Sequence, residues 1–128
     1  MATKIYNIDG ELIFDEPFLY LKEAVEKNKD KLIRADLSQG NLRDADLSKA
    51  NLRGACLMEA KLEGAKLKGA NLRSANLEGA NLRDADLENA DLREADLFKA
   101  DLERANLKGA NLKGADLRKA NLKGTILD

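Results

Sequence analysis

The sequence predicts an all-β solenoid of parallel coils with a small N-terminal cap, and two regularities point to that fold. From Leu32 to Leu127 every fifth residue is leucine, twenty times without a gap. From Leu37 onward the residue two positions before each leucine is small, and between positions 35 and 120 it is alanine everywhere except at Gly40. Both positions can face one interior only if the chain turns a corner within each five-residue unit.

A five-residue period excludes the two regular structures as descriptions of the repeat. In an α-helix five residues advance about 500°, so successive leucines would be displaced by about 140° and would scatter around the axis. In one long strand, consecutive leucines would lie on opposite faces. A chain that bends in one sense at every unit instead closes into coils, which can stack as parallel strands about 4.8 Å apart.

The corners carry glycine in only some units. Glycine stands two residues after the leucine at 54, 64, 69, 79, 109, 114 and 124, and polar or charged residues stand there elsewhere. Because glycine adopts φ > 0 without steric cost, this mixture predicts that some corners have positive φ and others do not.

The period alone leaves open whether three or four units make one coil. With four units Lys66 stacks between Asp46 and Asp86, which are twenty residues away on either side. With three units its neighbours are Asn51 and Asn81. Opposite charges on adjacent strands are stabilising, so the charges predict four units per coil and about five coils.

The residues before the repeats have a different character. Solenoid ends expose unpaired strand edges, so residues 1–29 are predicted to cap the coils of residues 30–128. Within the cap, β-prone residues flank Asp9 and Gly10, the signal of a two-residue hairpin turn whose central positions need φ > 0.

An amphipathic helix is predicted to follow this hairpin. Asp15 suits the helix N-cap, and Pro17 suits the first turn. Phe18, Leu21 and Val25 share one helix face and are predicted to face the first coil. At the opposite end no second cap is predicted after "NLKGTILD", so Ile126 and Leu127 are expected at an open coil edge that a second copy of the chain could cover.

The run "ANLRSANLEGANLRDADLENADL" resembles the pentapeptide-repeat proteins, whose motif A(D/N)LXX matches roughly residues 30–128. The resemblance implies a right-handed quadrilateral β-helix with four units per coil. The family usually mixes phenylalanine with leucine at the central position, whereas this chain has leucine alone. The resemblance also implies an alternative function, because some members imitate duplex DNA and bind type II topoisomerases such as gyrase, which affects quinolone sensitivity.

Composition limits the function classes. The chain has no histidine, so the commonest general base is absent, and we expect neither an enzyme nor a bound cofactor or metal. No apolar run approaches the roughly 18 residues that span a bilayer, and the single cysteine suits a reducing compartment, so we expect a cytoplasmic protein. Residues 36–128 hold sixteen acidic and sixteen basic residues, a balance that disfavours both nucleic-acid binding and DNA mimicry.

Candidate partner surfaces lie among the outward residues. A basic ladder is predicted one coil apart at Arg53, Arg73, Arg93 and Lys113. Its alternative is a solvated face neutralised by Asp91, Glu94 and Glu88. Residues 84–103 form an acidic belt with eight acids against two bases, and residues 104–128 carry six bases against two acids.

A second candidate surface is apolar. Met58 and Phe98 are predicted to point outward on one face, two coils apart, with Glu78 between them and Cys56 nearby. Phe98 is the only aromatic residue of the repeats, and aromatic residues are enriched at interfaces. The repeats as a whole predict a non-enzymatic structural or interaction module that presents charged faces to a protein partner.

Overall fold

The computed structural model describes residues 2–17 and 19–128, so Phe18 of the predicted cap face lies outside the described residues. The cap contains the elements β1 (Ala2–Tyr6), β2 (Leu12–Pro17), α1 (Leu21–Lys27) and a 3-10 helix (Lys29–Lys31). β1 and β2 pair as an antiparallel hairpin with an irregularity between Ile5 and Tyr6.

The hairpin turn is longer than the predicted two residues. The N–H of Asn7 donates to the carbonyl of Glu11 at 2.8 Å, which leaves a three-residue loop. Gly10 has a φ of 85°, but Asp9 is not among the residues with positive φ. The Asn7 carboxamide oxygen accepts the N–H groups of Asp9 at 3.0 Å and Glu11 at 2.9 Å, so the wider loop leaves both amides satisfied.

The helix begins later than predicted. Asp15 and Pro17 both lie in β2, and α1 starts at Leu21 without a side-chain cap. Strand pairing takes the backbone that the predicted helix would have used, and Pro17 is tolerated because it ends the strand. Val25 is fully buried, and Leu21 is partly buried against the core.

The cap is hydrogen-bonded to the first coil. The N–H of Ile8 donates to the carbonyl of Arg34 at 2.9 Å, and the N–H of Asp36 donates to the carbonyl of Tyr6 at 2.8 Å. On another side of the coil the N–H of Asn51 donates to the carbonyl of Lys29 at 2.9 Å. The cap therefore satisfies backbone groups that the first coil would otherwise expose.

The repeats stack as parallel coils twenty residues apart. Parallel bridges join residues separated by twenty positions from 36 to 126, and Lys66 bridges both Asp46 and Asp86. The prediction of four units per coil is thereby confirmed. From Leu32 to Leu107 every leucine of the series is at most 2% exposed, and the alanines line the same interior. Burying each leucine stabilises the fold by about 1.5–3 kcal/mol relative to exposure.

All corners have the same backbone conformation, which corrects the prediction of a mixture. Every residue two positions after a leucine, from Arg34 to Gly124, has positive φ, and twelve of these residues are not glycine. The next residue, which is alanine in most units, closes the turn, as when the N–H of Ala60 donates to the carbonyl of Leu57 at 3.0 Å. Positive φ at the third position of such a turn is the type II pattern, and stacking in register requires it of every unit whatever its side chain.

The Asp or Asn that precedes the leucine in most units forms a specific backbone hydrogen bond. Its side-chain oxygen accepts the backbone N–H two residues later, as Asn76 does from Glu78 and Asp96 does from Phe98, both at 3.0 Å. Stacking between coils uses three other N–H groups of the unit and the turn uses that of the alanine, so this bond satisfies the remaining donor. The D/N position of the motif is therefore explained by backbone hydrogen bonding.

Candidate interaction surfaces

The basic ladder is neutralised over only part of its length. Arg93 holds Asp91 in a two-point ion pair, with Nε–Oδ1 at 2.8 Å and Nη2–Oδ2 at 2.6 Å, and this bonding lowers the pKa of the Asp91 carboxyl. Arg73 lies 3.9 Å from Glu94. Among residues 2–17 and 19–128, neither Arg53 nor Lys113 has an acidic group within ion-pair distance.

The acidic belt is largely compensated by arginines. Arg104 binds Asp84 with Nε–Oδ1 at 2.8 Å, which lowers the pKa of that carboxyl, and Arg83 binds Glu103 at 2.8 Å. Six of the eight belt carboxylates take part in ion pairs, namely Asp84, Glu88, Asp91, Glu94, Asp101 and Glu103. The belt therefore presents much less free negative charge than its sequence suggests.

The Phe98 ring is partly covered by cations. Lys99 Nζ lies 5.2 Å from the ring centroid, the Arg118 guanidinium carbon 5.6 Å and Lys119 Nζ 5.7 Å. Cations at these distances are attracted by the ring face, so Phe98 is half-buried in a cation–π cluster. Met58 is also half-buried and lies two coils away, and the structure does not bring the two side chains together.

The last coil has an uncovered edge within the described chain. Leu122 is 41% exposed, Ile126 49% and Leu127 55%. In residues 2–17 and 19–128 no carbonyl accepts the N–H groups of Leu112 and Leu117, whereas the leucine N–H groups from Leu37 to Leu107 each donate to the next coil. Apolar side chains and free strand donors thus occur together at this end.

Sequence reasoning missed a groove between the cap and the first coils. The groove has a volume of about 500 Å³ and is lined by Ile8, Ile33, Arg34, Arg53, Gly54 and Ser74. The hairpin turn supplies Ile8, and the position of this residue beside the coils could not be predicted from the sequence. One signal was available, because Ile33 precedes Arg53 by twenty residues and therefore heads the basic ladder.

The family model for pentapeptide repeats, in eight copies, matches residues 31–64, 60–97 and 95–128. The chain belongs to the pentapeptide-repeat family. Pentapeptide-repeat proteins form right-handed quadrilateral β-helices, in agreement with the twenty-residue stacking seen here.

Solved structures of other pentapeptide-repeat proteins resemble the chain. One from the Arabidopsis thaliana thylakoid lumen is 32% identical with a TM-score of 0.57, over 83% of this chain and 69% of that one. One from Nostoc PCC 7120 is 34% identical with a TM-score of 0.51, over 84% and 73%. QnrB1, described as a plasmid-mediated fluoroquinolone resistance protein, is 21% identical with a TM-score of 0.35, over 73% and 58%. No curated protein matches the sequence.

The carboxylates, the thiol and the helices of this pentapeptide-repeat protein bear on metal binding and membrane insertion. Within residues 2–17 and 19–128 no three Cys, Asp or Glu side chains converge to hold a metal ion. None of the helices in that part is both long and apolar enough to span a bilayer. Cys56 is a free thiol, half-buried, at a site where most units have Asp or Asn.

Proposed function

We propose that the protein is a non-enzymatic interaction module, a rigid β-helical rod that presents its charged faces to a partner protein. The observation that supports this most is the division of labour within each unit. Leucine and alanine fill the interior, and Asp or Asn completes the backbone bonding, so the units differ mainly in two outward positions. Variation confined to outward side chains is what a recognition surface requires.

Affinity purification with quantitative mass spectrometry tests this proposal. The bait is the full chain, and the matched control is a bait with Arg53, Arg73, Arg93 and Lys113 all changed to Glu. Further face variants reverse the outward charges of the other faces of the rod in the same way. We expect at least one protein to be enriched on the wild-type rod and lost from one of these face variants. If every face variant captures the same proteins as the wild type, the outward positions do not recognise a partner and the proposal is wrong.

The alternative function is mimicry of DNA toward gyrase. A mimic must present uncompensated negative charge along its length, but this rod has equal numbers of acids and bases between 36 and 128. Its acidic belt is also engaged by Arg83, Arg93 and Arg104. We therefore expect no inhibition of gyrase supercoiling by the purified protein. Inhibition at stoichiometric concentration would favour the alternative.

We further propose that two copies associate through the last coil. The support is the exposed Leu122, Ile126 and Leu127 beside free backbone donors. Since residues 104–128 carry six bases against two acids, like ends repel, and the association should strengthen as salt screens the charges. Light scattering at low and high salt tests this, with Leu127→Asp as the variant expected to be monomeric. A wild type that is monomeric at both salt concentrations overturns it. The cytoplasmic location stays a prediction.

A further inference from the structure

We propose that the groove between the cap and the first coils, here called the cap groove, binds an acidic peptide segment that carries one large apolar side chain. The cap groove is the surface lined by Ile8, Ile33, Arg34, Arg53, Gly54 and Ser74. This inference rests on the proposed interaction function and names the site and the chemistry of the partner.

The apolar part of the groove comes from two separate elements. Ile8 in the hairpin turn is 49% exposed, and Ile33 at the first corner is 47% exposed. The hydrogen bond from the Ile8 N–H to the Arg34 carbonyl holds the turn beside that corner, so both side chains line one concavity. An apolar side chain from a partner would remove both isoleucines from water, which is the usual source of binding energy at an interface centre.

The space in the groove results from two small corner residues. Gly54 and Ser74 follow Arg34 in one corner column, at sites where most other units without glycine carry long side chains. A Cβ added to Gly54 would lie 3.2 Å from Cγ of Arg34, so the arginine stem lies directly over the glycine. Larger residues at 54 and 74 would close the concavity.

The charge of the groove selects an acidic partner. Its lining includes two arginines and no acidic residue. Arg53 has no ion-pair partner in residues 2–17 and 19–128, and Arg34 holds only Asp9, at 2.9 Å, in a pair that is about half exposed on both sides. A solvent-exposed pair of this kind contributes little and can be exchanged for a partner carboxylate. Arginine binds carboxylates in a two-point geometry, so acidic residues flanking the apolar one complete the match.

Selection from a library of random short peptides displayed on phage tests the proposal on the full chain. We expect enriched peptides to combine Asp or Glu with one Leu, Ile, Phe or Trp. The strongest peptide is then synthesised with a fluorescent label, and its affinity is measured by anisotropy. Ile33→Asp and Arg53→Glu should each weaken binding by about tenfold or more, and Gly54→Asn, which fills the groove while tolerating positive φ, should do the same.

Matched controls carry the same changes elsewhere. Leu12→Asp alters an exposed apolar residue of the hairpin that does not line the groove, and Lys119→Glu reverses a charge in the last coil. Both controls should bind the peptide like the wild type. Circular dichroism confirms that each variant is folded before binding is compared.

Several outcomes would overturn the proposal. The first two are a selection that yields no binding peptide and a selection that enriches basic peptides. The third is peptide binding that Lys119→Glu weakens as much as Arg53→Glu does. The fourth is peptide binding at the last coil instead of the cap groove, which would be recognised by its loss in Leu127→Asp. The proposed function is judged separately. If the rod still captures a partner from the extract when Arg53 is Glu, the cap groove fails as the site while the interaction module stands.

Discussion

Leu21 of α1 lies so close to Gly40 that a Cβ added to the glycine would be 2.7 Å from Cδ2 of the leucine. Gly40 occupies the one site of its series, between 35 and 120, that lacks alanine. It does not have positive φ, so its reason is space for the helix. The interruption in the alanine series therefore marks the point where the cap packs on the first coil.

Gly40→Ala should destabilise the protein by about 1–3 kcal/mol, because the added methyl overpacks the contact with Leu21. Chemical denaturation measures the change in the free energy of unfolding. Combining it with Leu21→Ala should recover part of the loss, since the shorter side chain makes room. Additive costs in the double variant would contradict this account of the glycine. Ala60→Gly, one coil further along the same column, is the control that measures the intrinsic difference in stability between alanine and glycine at this position of the unit.

Gly69→Ala should cost about 1 kcal/mol for a different reason. Gly69 has a φ of 67°, and a Cβ there would meet Cγ of Lys49 at an ordinary 3.5 Å, so the backbone conformation rather than space opposes the change. Gly69→Asn separates the two causes, because asparagine is larger than alanine but tolerates positive φ better. We expect Asn to unfold at a higher denaturant concentration than Ala; the reverse order would indicate steric crowding.

Cys56→Asn should stabilise the protein by about 0.5–1.5 kcal/mol. No side chain in residues 2–17 and 19–128 accepts the N–H of Met58, whereas Asn76 accepts the N–H of Glu78 one coil later at 3.0 Å. The new carboxamide should restore that bond. Cys56→Ala is the matched control and should bring no gain, and Asn76→Ala should lose a comparable amount. Equal thermal midpoints for Cys56→Asn and Cys56→Ala would show that the bond does not form.

Asp46 should make stability fall with acid. The N–H of Ser48, then the Ser48 side chain and Lys29, lower the pKa of the Asp46 carboxyl to about 2. A lowered pKa in the folded state stabilises the fold fully above the unfolded value, near 3.8, and the contribution disappears as the pH falls toward 2. Thermal unfolding of Asp46→Asn should therefore depend less on pH in this window. A carboxyl resonance of Asp46 that titrates near pH 4 by NMR would contradict it.

The solenoid could be predicted from the amino-acid sequence because its geometry repeats. The charges around Lys66 favoured a stacking distance of twenty, and backbone bridges join Lys66 to Asp46 and to Asp86. Within residues 2–17 and 19–128, however, Asp46 pairs with Lys29, and neither carboxylate lies within ion-pair distance of the Lys66 ammonium. The corner conformation could not be predicted, because Lys, Glu and Arg give no indication of positive φ in a sequence, although stacking imposes positive φ on them at the corners. At the corners the register of the stacked coils outweighs the local preference for glycine at positive φ.

The cap was harder to predict because its signals compete. Asp15 and Pro17 suit a helix start as well as a strand end, and pairing with β1 decided between them. The cap groove depends on Ile8 and Ile33 lining the same concavity, and the five-residue period does not predict where the hairpin turn places Ile8. The charges of the basic ladder were visible in sequence, but whether each cation is compensated depended on side-chain distances such as that between Arg93 and Asp91.

The five-residue period of the units and the twenty-residue period of the coils impose different constraints on insertions and deletions during evolution. Gain or loss of one five-residue unit keeps every leucine inside, but it shifts all later units by one face relative to the cap. A change of this kind after Arg53 would move the rest of the basic ladder out of the column that begins with Ile33 and Arg53. Gain or loss of twenty residues preserves both the interior and the columns, and alters only the distance between the ends. Folding therefore tolerates steps of five, while any ligand that spans more than one coil would tolerate only steps of twenty.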